Sequence, residues 1–151
     1  MPIALLALAV GAFGIGLTEF VIAGILPQIA TDFGISIPAA GTMATSYALG
    51  VFVGAPLMTV LGARIPRKAM LIALAVIFTL GNVITALAPT LPMAIVGRVI
   101  TSFDRGAFFG IGSINAAALV APGRQASAIA FMFSGLTLAN LVGVPLGTWL
   151  A

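Results

Sequence analysis

The sequence contains no cysteine and no histidine, and its 151 residues include only six Lys or Arg and three Asp or Glu. Without cysteine there is no disulfide framework, and without either residue a transition-metal site lacks its usual ligands. The absence of histidine also removes the commonest general base near neutral pH. No Walker-type phosphate loop, H-E-x-x-H or G-x-S-x-G string is present. We therefore predict a protein that is not an enzyme and that holds no metal or cofactor.

Apolar residues dominate the composition. Hydrophobic residues make up 62% of the chain and charged residues 6%, whereas a typical soluble domain is about 25% charged. Mean hydropathy is +1.28. Apolar runs of about 20 residues or more are long enough to cross a hydrocarbon core of about 30 Å as helices. The sequence therefore predicts an all-α membrane protein whose first partner is the lipid bilayer.

Five such runs follow one another, separated by short polar loops. They predict transmembrane helices over about 3–26, 41–62, 69–88, 93–120 and 127–151. Pro27 is expected to end the first helix, because proline cannot donate a backbone hydrogen bond and clashes with the preceding turn. Residues 28–40 are then expected to form a polar loop.

The basic residues outside the helices indicate the topology. The loop after the second segment contains Arg64, Arg67 and Lys68, and the loop after the fourth contains Arg124. The other two loops contain no Lys or Arg. The positive-inside rule therefore predicts a cytoplasmic N-terminus for this multi-pass chain. A pI of about 10.8 could suggest nucleic-acid binding, but topology explains these bases, so we expect no nucleic-acid partner.

The fourth segment is unusual because it contains Arg98, Asp104 and Arg105. A charge at the bilayer centre costs at least about 2.5–3.5 kcal/mol, so such residues usually face other helices or water. Helical spacing places all three charges, with Thr101 and Ser102, on one arc of roughly 160°. At 1.5 Å per residue, Arg98 lies roughly 8 Å inside the membrane and Asp104 roughly 18 Å. We expect this polar face to point inward.

Two carboxylates are candidate proton carriers. Glu19 lies about two thirds of the way along the first segment, and Asp104 lies near the membrane midplane. A low-dielectric environment favours the protonated form of a carboxyl group, which can then load and release a proton. Two structural alternatives remain open: Asp104 neutralises a nearby arginine, or Glu19 pairs with Arg105 across the first and fourth helices.

Other polar side chains inside the segments are candidates for lining a cavity and tuning its charge: Arg98, Arg105, Asn82, Asn115, Asn140 and Tyr47. Arg98 is also close enough to the outer surface for its side chain to snorkel to water. For the three asparagines, hydrogen bonds between helices are a sufficient alternative. Tyr47 is a candidate for stacking on a ligand.

Small residues four apart predict close helix packing, because they let neighbouring backbones approach. The predicted packing residues are Gly50, Gly54, Gly106, Gly110, Gly143 and Gly147, with Pro145 beside the last pair.

Four strings carry a resemblance to a known family. They are TEFVIAG at residues 18–24 with Pro27, RIPRK at 64–68, GAFFGIGS at 106–113 and GVPLGTW at 143–149. Together they resemble the major facilitator superfamily, in its bacterial branch of drug and sugar exporters that are proton antiporters. The similarity is greatest to sugar- or arabinose-efflux-like and chloramphenicol-export-like members. The family loop usually has an aspartate where this chain has Ala63, and many relatives have histidine in place of Arg105.

The resemblance implies the first five of about twelve helices, that is, the N-terminal portion of a fold whose two halves hold substrate between them. It implies efflux of a small organic solute, such as a sugar or drug, by alternating access with protons as the coupling ion. The implied location is the bacterial inner membrane. We expect the chain to be a fragment or truncation that needs the missing C-terminal helices, or other copies, for transport. The alternative is a non-transporting membrane assembly partner or a small oligomeric pore.

Overall fold

The computed structural model describes residues 3–150, and within them every element is a helix. Five long helices and one short one follow in chain order: α1 (Ile3–Asp32), α2 (Ile37–Ala40), α3 (Thr42–Gly62), α4 (Arg67–Ala86), α5 (Leu91–Ala118) and α6 (Gln125–Leu150). The five long helices correspond to the five predicted segments, so the all-α fold class is confirmed. The predicted end of the last segment at Ala151 lies outside the described residues.

The first helix is longer than the sequence predicts, because Pro27 lies inside α1 rather than at its end. Proline removes one backbone hydrogen bond, but membrane helices tolerate this loss when neighbouring groups compensate. The helix ends instead at Asp32, two residues before Gly34, whose φ is 63°. Its N–H donates to the Thr31 carbonyl and the N–H of Ile35 to the Ala30 carbonyl. This is a Schellman cap, which favours glycine because other residues rarely adopt positive φ.

The predicted loop at 28–40 is therefore largely helical. Its first residues belong to α1, and α2 follows after a short turn. The Ser36 side chain caps α2 by accepting a hydrogen bond from the N–H of Ala39, as N-cap serines commonly do. Helices α4, α5 and α6 begin two residues earlier than predicted. In α5, Pro92 occupies the first turn, where its missing N–H costs nothing.

Four stretches are long and apolar enough to cross a membrane: Ile3–Asp32, Ile37–Gly62, Arg67–Ala86 and Gln125–Leu150. Helix α5, with 28 residues, is also long enough, but its charged side chains lower its hydropathy. It packs against α1, α3, α4 and α6. The most polar helix therefore contacts all four of the other long helices, and two of its three charged residues, Arg98 and Asp104, are buried.

Glycines bring the helices close together at several crossings. In α4 and α5, a Cβ on Gly81 would lie 2.8 Å from the Gly97 carbonyl oxygen, and a Cβ on Gly97 would lie 2.8 Å from that of Gly81. The packing prediction concerned small residues four apart within one helix. It therefore did not include this reciprocal contact, whose two glycines lie on different helices. Helices α1 and α6 meet in a similar way, since a Cβ on Gly24 would lie 2.7 Å from the Val144 carbonyl oxygen.

The predicted packing glycines mostly lie at such crossings. A Cβ at Gly54 would meet Phe103, at Gly106 it would meet Ala55, and at Gly143 it would meet Phe20. Gly50 faces Ser102 in the same way, and Gly147 faces Val21. Gly110 differs, because it is exposed and nothing lies within 4 Å of its would-be Cβ. Pro145 is exposed as well, so the packing face of α6 consists of its neighbouring glycines.

Two apolar clusters lie at different levels of the bundle. The larger contains Leu8 of α1, Leu74 of α4, Phe108 of α5 and Met132 of α6. The smaller joins α1, α3 and α5 through Ile22, Met43 and Ala94. The polar part of α5, residues 98–104, lies between the α5 members of the two clusters. Apolar packing therefore closes the bundle on both sides of a buried polar layer.

The α4–α5 contact yields a stability prediction. Gly81→Ala should lower the free energy of unfolding by about 1–3 kcal/mol, because the added methyl group must push two backbones apart. The matched control is Gly110→Ala, where the methyl group meets no atoms and alanine favours the helix. The measurement is a denaturant titration of each variant in mixed micelles. Equal stability of the two variants would contradict the contact.

Candidate functional site

Helix α5 brings four polar side chains into the interior. Arg98 is 2% exposed, Thr101 1%, Ser102 0% and Asp104 1%. The two hydroxyl groups donate to carbonyls of their own helix, Thr101 to Gly97 and Ser102 to Val99. The predicted inward polar face is therefore present. Its hydroxyls are satisfied locally, whereas its charged groups depend on other helices.

Arg98 does not snorkel to the surface, so that alternative is wrong. One guanidinium nitrogen, Nη1, donates to the Thr18 carbonyl of α1 at 3.3 Å, and the guanidinium carbon lies 4.3 Å from the ring centroid of Tyr47 in α3. Arg98 makes these two contacts because its face of α5 points toward α1 and α3 rather than toward lipid. Its Nε is buried without a hydrogen-bond partner.

Tyr47 is 4% exposed, and its aromatic ring stacks against the Arg98 guanidinium. A cation over an aromatic face contributes up to about 2 kcal/mol when water is excluded. The Tyr47 hydroxyl is buried and lacks a hydrogen-bond partner. Tyr47 and Arg98 therefore each bring one buried, unpaired donor to the contact between α3 and α5.

Glu19 and Arg105 form an ion pair between α1 and α5. Of the two structural alternatives that the sequence left open, this one is present. The Arg105 side chain is 23% exposed and that of Glu19 is 26% exposed, so the pair is only partly withdrawn from its surroundings. A carboxylate in this position remains accessible to a proton or to a second donor.

Asp104 has no cation within 4.0 Å in the described residues, where Glu19–Arg105 is the only ion pair. The alternative in which Asp104 neutralises an arginine is therefore not realised. One of its carboxyl oxygens is buried without a hydrogen-bond partner. Asp104 follows Thr101 by three residues, and Thr101 abuts Gly81 of α4. Helical spacing thus places Asp104 toward α4, apart from the arginines.

A cavity of about 490 Å³ opens between α1, α3 and α5. Its polar lining residues are Glu19, Tyr47, Arg98 and Arg105. The remainder of the wall is apolar and comes from α1 and α3: Ile22, Ala23, Leu26, Ala44, Ala48 and Val51. Pockets of about 300–1,000 Å³ with apolar walls and a few converging polar groups are typical of small-molecule sites. Nothing in the sequence distinguishes this wall, because its residues resemble those of any membrane helix.

The three asparagines lie in different places. Asn82 donates to the Phe78 carbonyl of its own helix and lines a separate cleft of about 330 Å³ that Arg98 also borders. Asn115 lines an apolar groove of about 620 Å³ near Lys68. Asn140 is exposed on α6. None of the three lines the cavity that contains Glu19 and Tyr47.

The basic residues Arg64, Arg67 and Lys68 are all exposed at the α3–α4 connection, with Arg67 and Lys68 already in the first turn of α4. None of the three lines the cavity between α1, α3 and α5. The described residues contain no group of three or more Asp or Glu side chains that could hold a metal ion.

A profile of the Major Facilitator Superfamily matches residues 8–151. The chain belongs to this superfamily. The inner membrane transport protein YdhP of Escherichia coli K12 is 57% identical over 146 residues, which cover 97% of this chain and 38% of YdhP. The MFS-type transporter YtbD of Bacillus subtilis is 47% identical over 147 residues, 97% of this chain and 37% of that protein.

A third relative, named a chloramphenicol resistance protein, comes from Streptomyces lividans. It is 36% identical over 154 residues, which cover 99% of this chain and 39% of that protein. The chain thus spans a little over a third of the length of these relatives. The superfamily consists of transport proteins rather than enzymes, and the long apolar helices agree with a membrane location.

The ion pair yields a second prediction. Glu19→Gln and Arg105→Gln should each lower the free energy of unfolding by about 1–3 kcal/mol, because each leaves its partner unpaired in a partly buried site. The double variant should lose less than the sum of the two single losses, since it leaves no charge behind. Unfolding titrations of the four proteins in mixed micelles measure this coupling. Asp32→Asn, at the exposed end of α1, is the control carboxylate. Strictly additive losses would contradict a direct interaction.

Proposed function

We propose that this chain contributes one wall of a transporter that exports a small organic solute across the bacterial inner membrane. The observation that carries the proposal is the cavity between α1, α3 and α5, in which Glu19, Tyr47, Arg98 and Arg105 converge. Superfamily membership and relatives named as transport proteins support it. The name of the Streptomyces relative, a resistance protein, favours export over uptake.

Glu19 is the proton carrier in this proposal. It lines the cavity, keeps a quarter of its side chain exposed, and pairs with Arg105. A proton on Glu19 removes its charge and so breaks the ion pair, which releases Arg105 into the cavity. The two protonation states therefore present different charge patterns to a solute, and this difference is what proton coupling requires. Asp104 is the second candidate, although it does not line the cavity.

Alternating access needs a second wall that faces this one. In transporters of this kind, rocking of two helix bundles exposes a central site to each side of the membrane in turn. Helices that follow in a longer polypeptide, or other copies, would supply the opposing wall. The N-terminus and the basic α3–α4 connection lie in the cytoplasm in this arrangement, because the α3–α4 and α5–α6 connections contain Lys or Arg and the other connections contain none.

A chimaera tests the proposal. The chain replaces the matching 146 residues of YdhP, and inverted vesicles containing the chimaera are energised to form a proton gradient. Addition of a transported solute from a panel of sugars and antibiotics should dissipate the gradient and restore the fluorescence of a pH-gradient dye. Vesicles with the 151-residue chain alone should give no signal, because the cavity lacks its opposing wall. Transport by the chain alone would contradict the two-wall arrangement, and a stable pore-forming oligomer would favour the alternative function.

The role of Glu19 is tested in the same chimaera. Glu19→Gln should abolish the solute-induced loss of the proton gradient, because an amide cannot carry the proton. Exchange of labelled for unlabelled solute, which needs no net proton movement, should persist and shows that the variant is folded. Asp32→Asn is the matched control, since Asp32 is exposed and lies outside the cavity. Full coupling in the Glu19 variant would remove this residue from the mechanism.

A further inference from the structure

The charges that line the cavity are arranged unevenly. Glu19 and Arg105 satisfy each other, whereas Arg98, also in the lining, has no carboxylate within 4.0 Å among residues 3–150. Arginine does not lose its proton in proteins, so its charge has to be balanced by other means when it is buried. At 2% exposure, Arg98 receives only the stacked Tyr47 ring and one backbone carbonyl.

Apart from the two atoms of the Glu19–Arg105 pair, two buried polar groups in this lining have no partner. They are Nε of Arg98 and the hydroxyl of Tyr47. An unmade hydrogen bond in a buried position is costly, and an arginine N–H and a phenol hydroxyl are both donors that suit the oxygens of a carboxylate. This end of the cavity is therefore suited to an anionic group.

A carboxylate acceptor lies close by. Arg98 donates to the carbonyl of Thr18, the residue that directly precedes Glu19 on α1. The Arg98 guanidinium and Glu19 therefore lie at the same height along α1. A carboxylate has about four acceptor positions on its two oxygens, and the pair with Arg105 involves one oxygen of Glu19. A cationic or hydroxyl donor can therefore bind Glu19 without displacing Arg105.

We propose that the cavity binds a small zwitterion of the amino-acid type, with its carboxylate at Arg98 and Tyr47 and its ammonium group at Glu19. The apolar side chain of the solute would lie against Ile22, Leu26 and Val51, which form part of the apolar wall. The assignment of this cavity as a solute site rests on the proposed transport function. What it adds is the substrate class.

The charge pattern also fits proton antiport. The titratable or charged groups that line the cavity are Glu19 from α1, Tyr47 from α3, and Arg98 and Arg105 from α5. An ammonium group and a proton both compete for Glu19, so the binding of one opposes the binding of the other. A solute with only a negative charge would instead favour protonation of Glu19 and would move together with the proton.

The test uses three probes that share one apolar body. Leucine is the zwitterion, leucinamide the cation and 4-methylpentanoate the anion. Binding to the 151-residue chain in lipid nanodiscs is measured by titration calorimetry at neutral pH. Leucine should bind about 10- to 100-fold more tightly than either analogue, because each analogue lacks one charge-assisted contact. Equal or tighter binding of an analogue, or no binding of leucine, would overturn the proposal.

Variants separate the two contacts. Glu19→Gln should abolish the preference for leucine over 4-methylpentanoate, because it removes the ammonium contact and also the negative charge that repels the anion. Arg98→Gln should weaken the binding of both probes. Arg98→Lys keeps the charge and should restore part of the carboxylate binding. Asp32→Asn should change nothing. The opposite pattern, in which Arg98→Gln leaves leucine binding intact, counts against the proposed carboxylate contact.

The vesicle assay distinguishes this inference from the proposed function. If the YdhP chimaera couples protons to uncharged solutes while leucine binds neither protein, the transport function stands and the zwitterion assignment fails. If leucine binds with the predicted selectivity but the chimaera moves no solute, the site assignment is supported and the transport function fails.

Discussion

Burial of ionisable side chains inside an apolar bundle is the constraint on which the structure depends. Arg98 and Asp104 are nearly inaccessible on a helix that has to lie within the membrane, and an unsheltered charge there is among the most costly features a membrane helix can have. The other long helices lower this cost by surrounding α5. Because the arginines face α1 and α3, those helices also become the walls of the cavity. The arrangement that shelters the charges is therefore the one that places Arg98 and Arg105 in the lining of the cavity.

Close backbone contact makes this shelter possible. Without water, hydrophobic burial gives little attraction between membrane helices, so packing depends on small residues that allow near approach. The reciprocal contact of Gly81 and Gly97 packs α4 closely against α5 at the residue next to Arg98. Gly50 and Gly54 do the same for α3, on which Tyr47 is carried. Tyr47 precedes Gly50 by less than one turn, so the position of the aromatic ring beneath the arginine depends on this packing.

Composition and apolar run length predict the five long helices well, because both depend on local sequence and membrane thickness. The end of α1 was missed because Pro27 is a strong local signal, whereas the membrane environment and the Gly34 cap override it. The inward face of α5 was predictable from spacing. The contacts of Arg98 could not be predicted in the same way. Its depth in the membrane favours snorkelling, and only the position of α3 shows that its guanidinium stacks on the Tyr47 ring. The apolar cavity wall gave no sequence signal, because lipid-facing and cavity-facing residues are chemically alike.

In the proposed mechanism, three partners interact with the one carboxylate of Glu19. Arg105 is always available because it belongs to α5, the proton would arrive from one side of the membrane, and a donor group would arrive with the solute. A strong internal partner lowers the affinity for the other two, so both are released when access changes rather than held. An isolated buried carboxylate would retain its proton, and one tied by a fully buried pair would never accept it. The partial exposure of both Glu19 and Arg105 lies between these limits, and this intermediate state is what a reversible carrier needs.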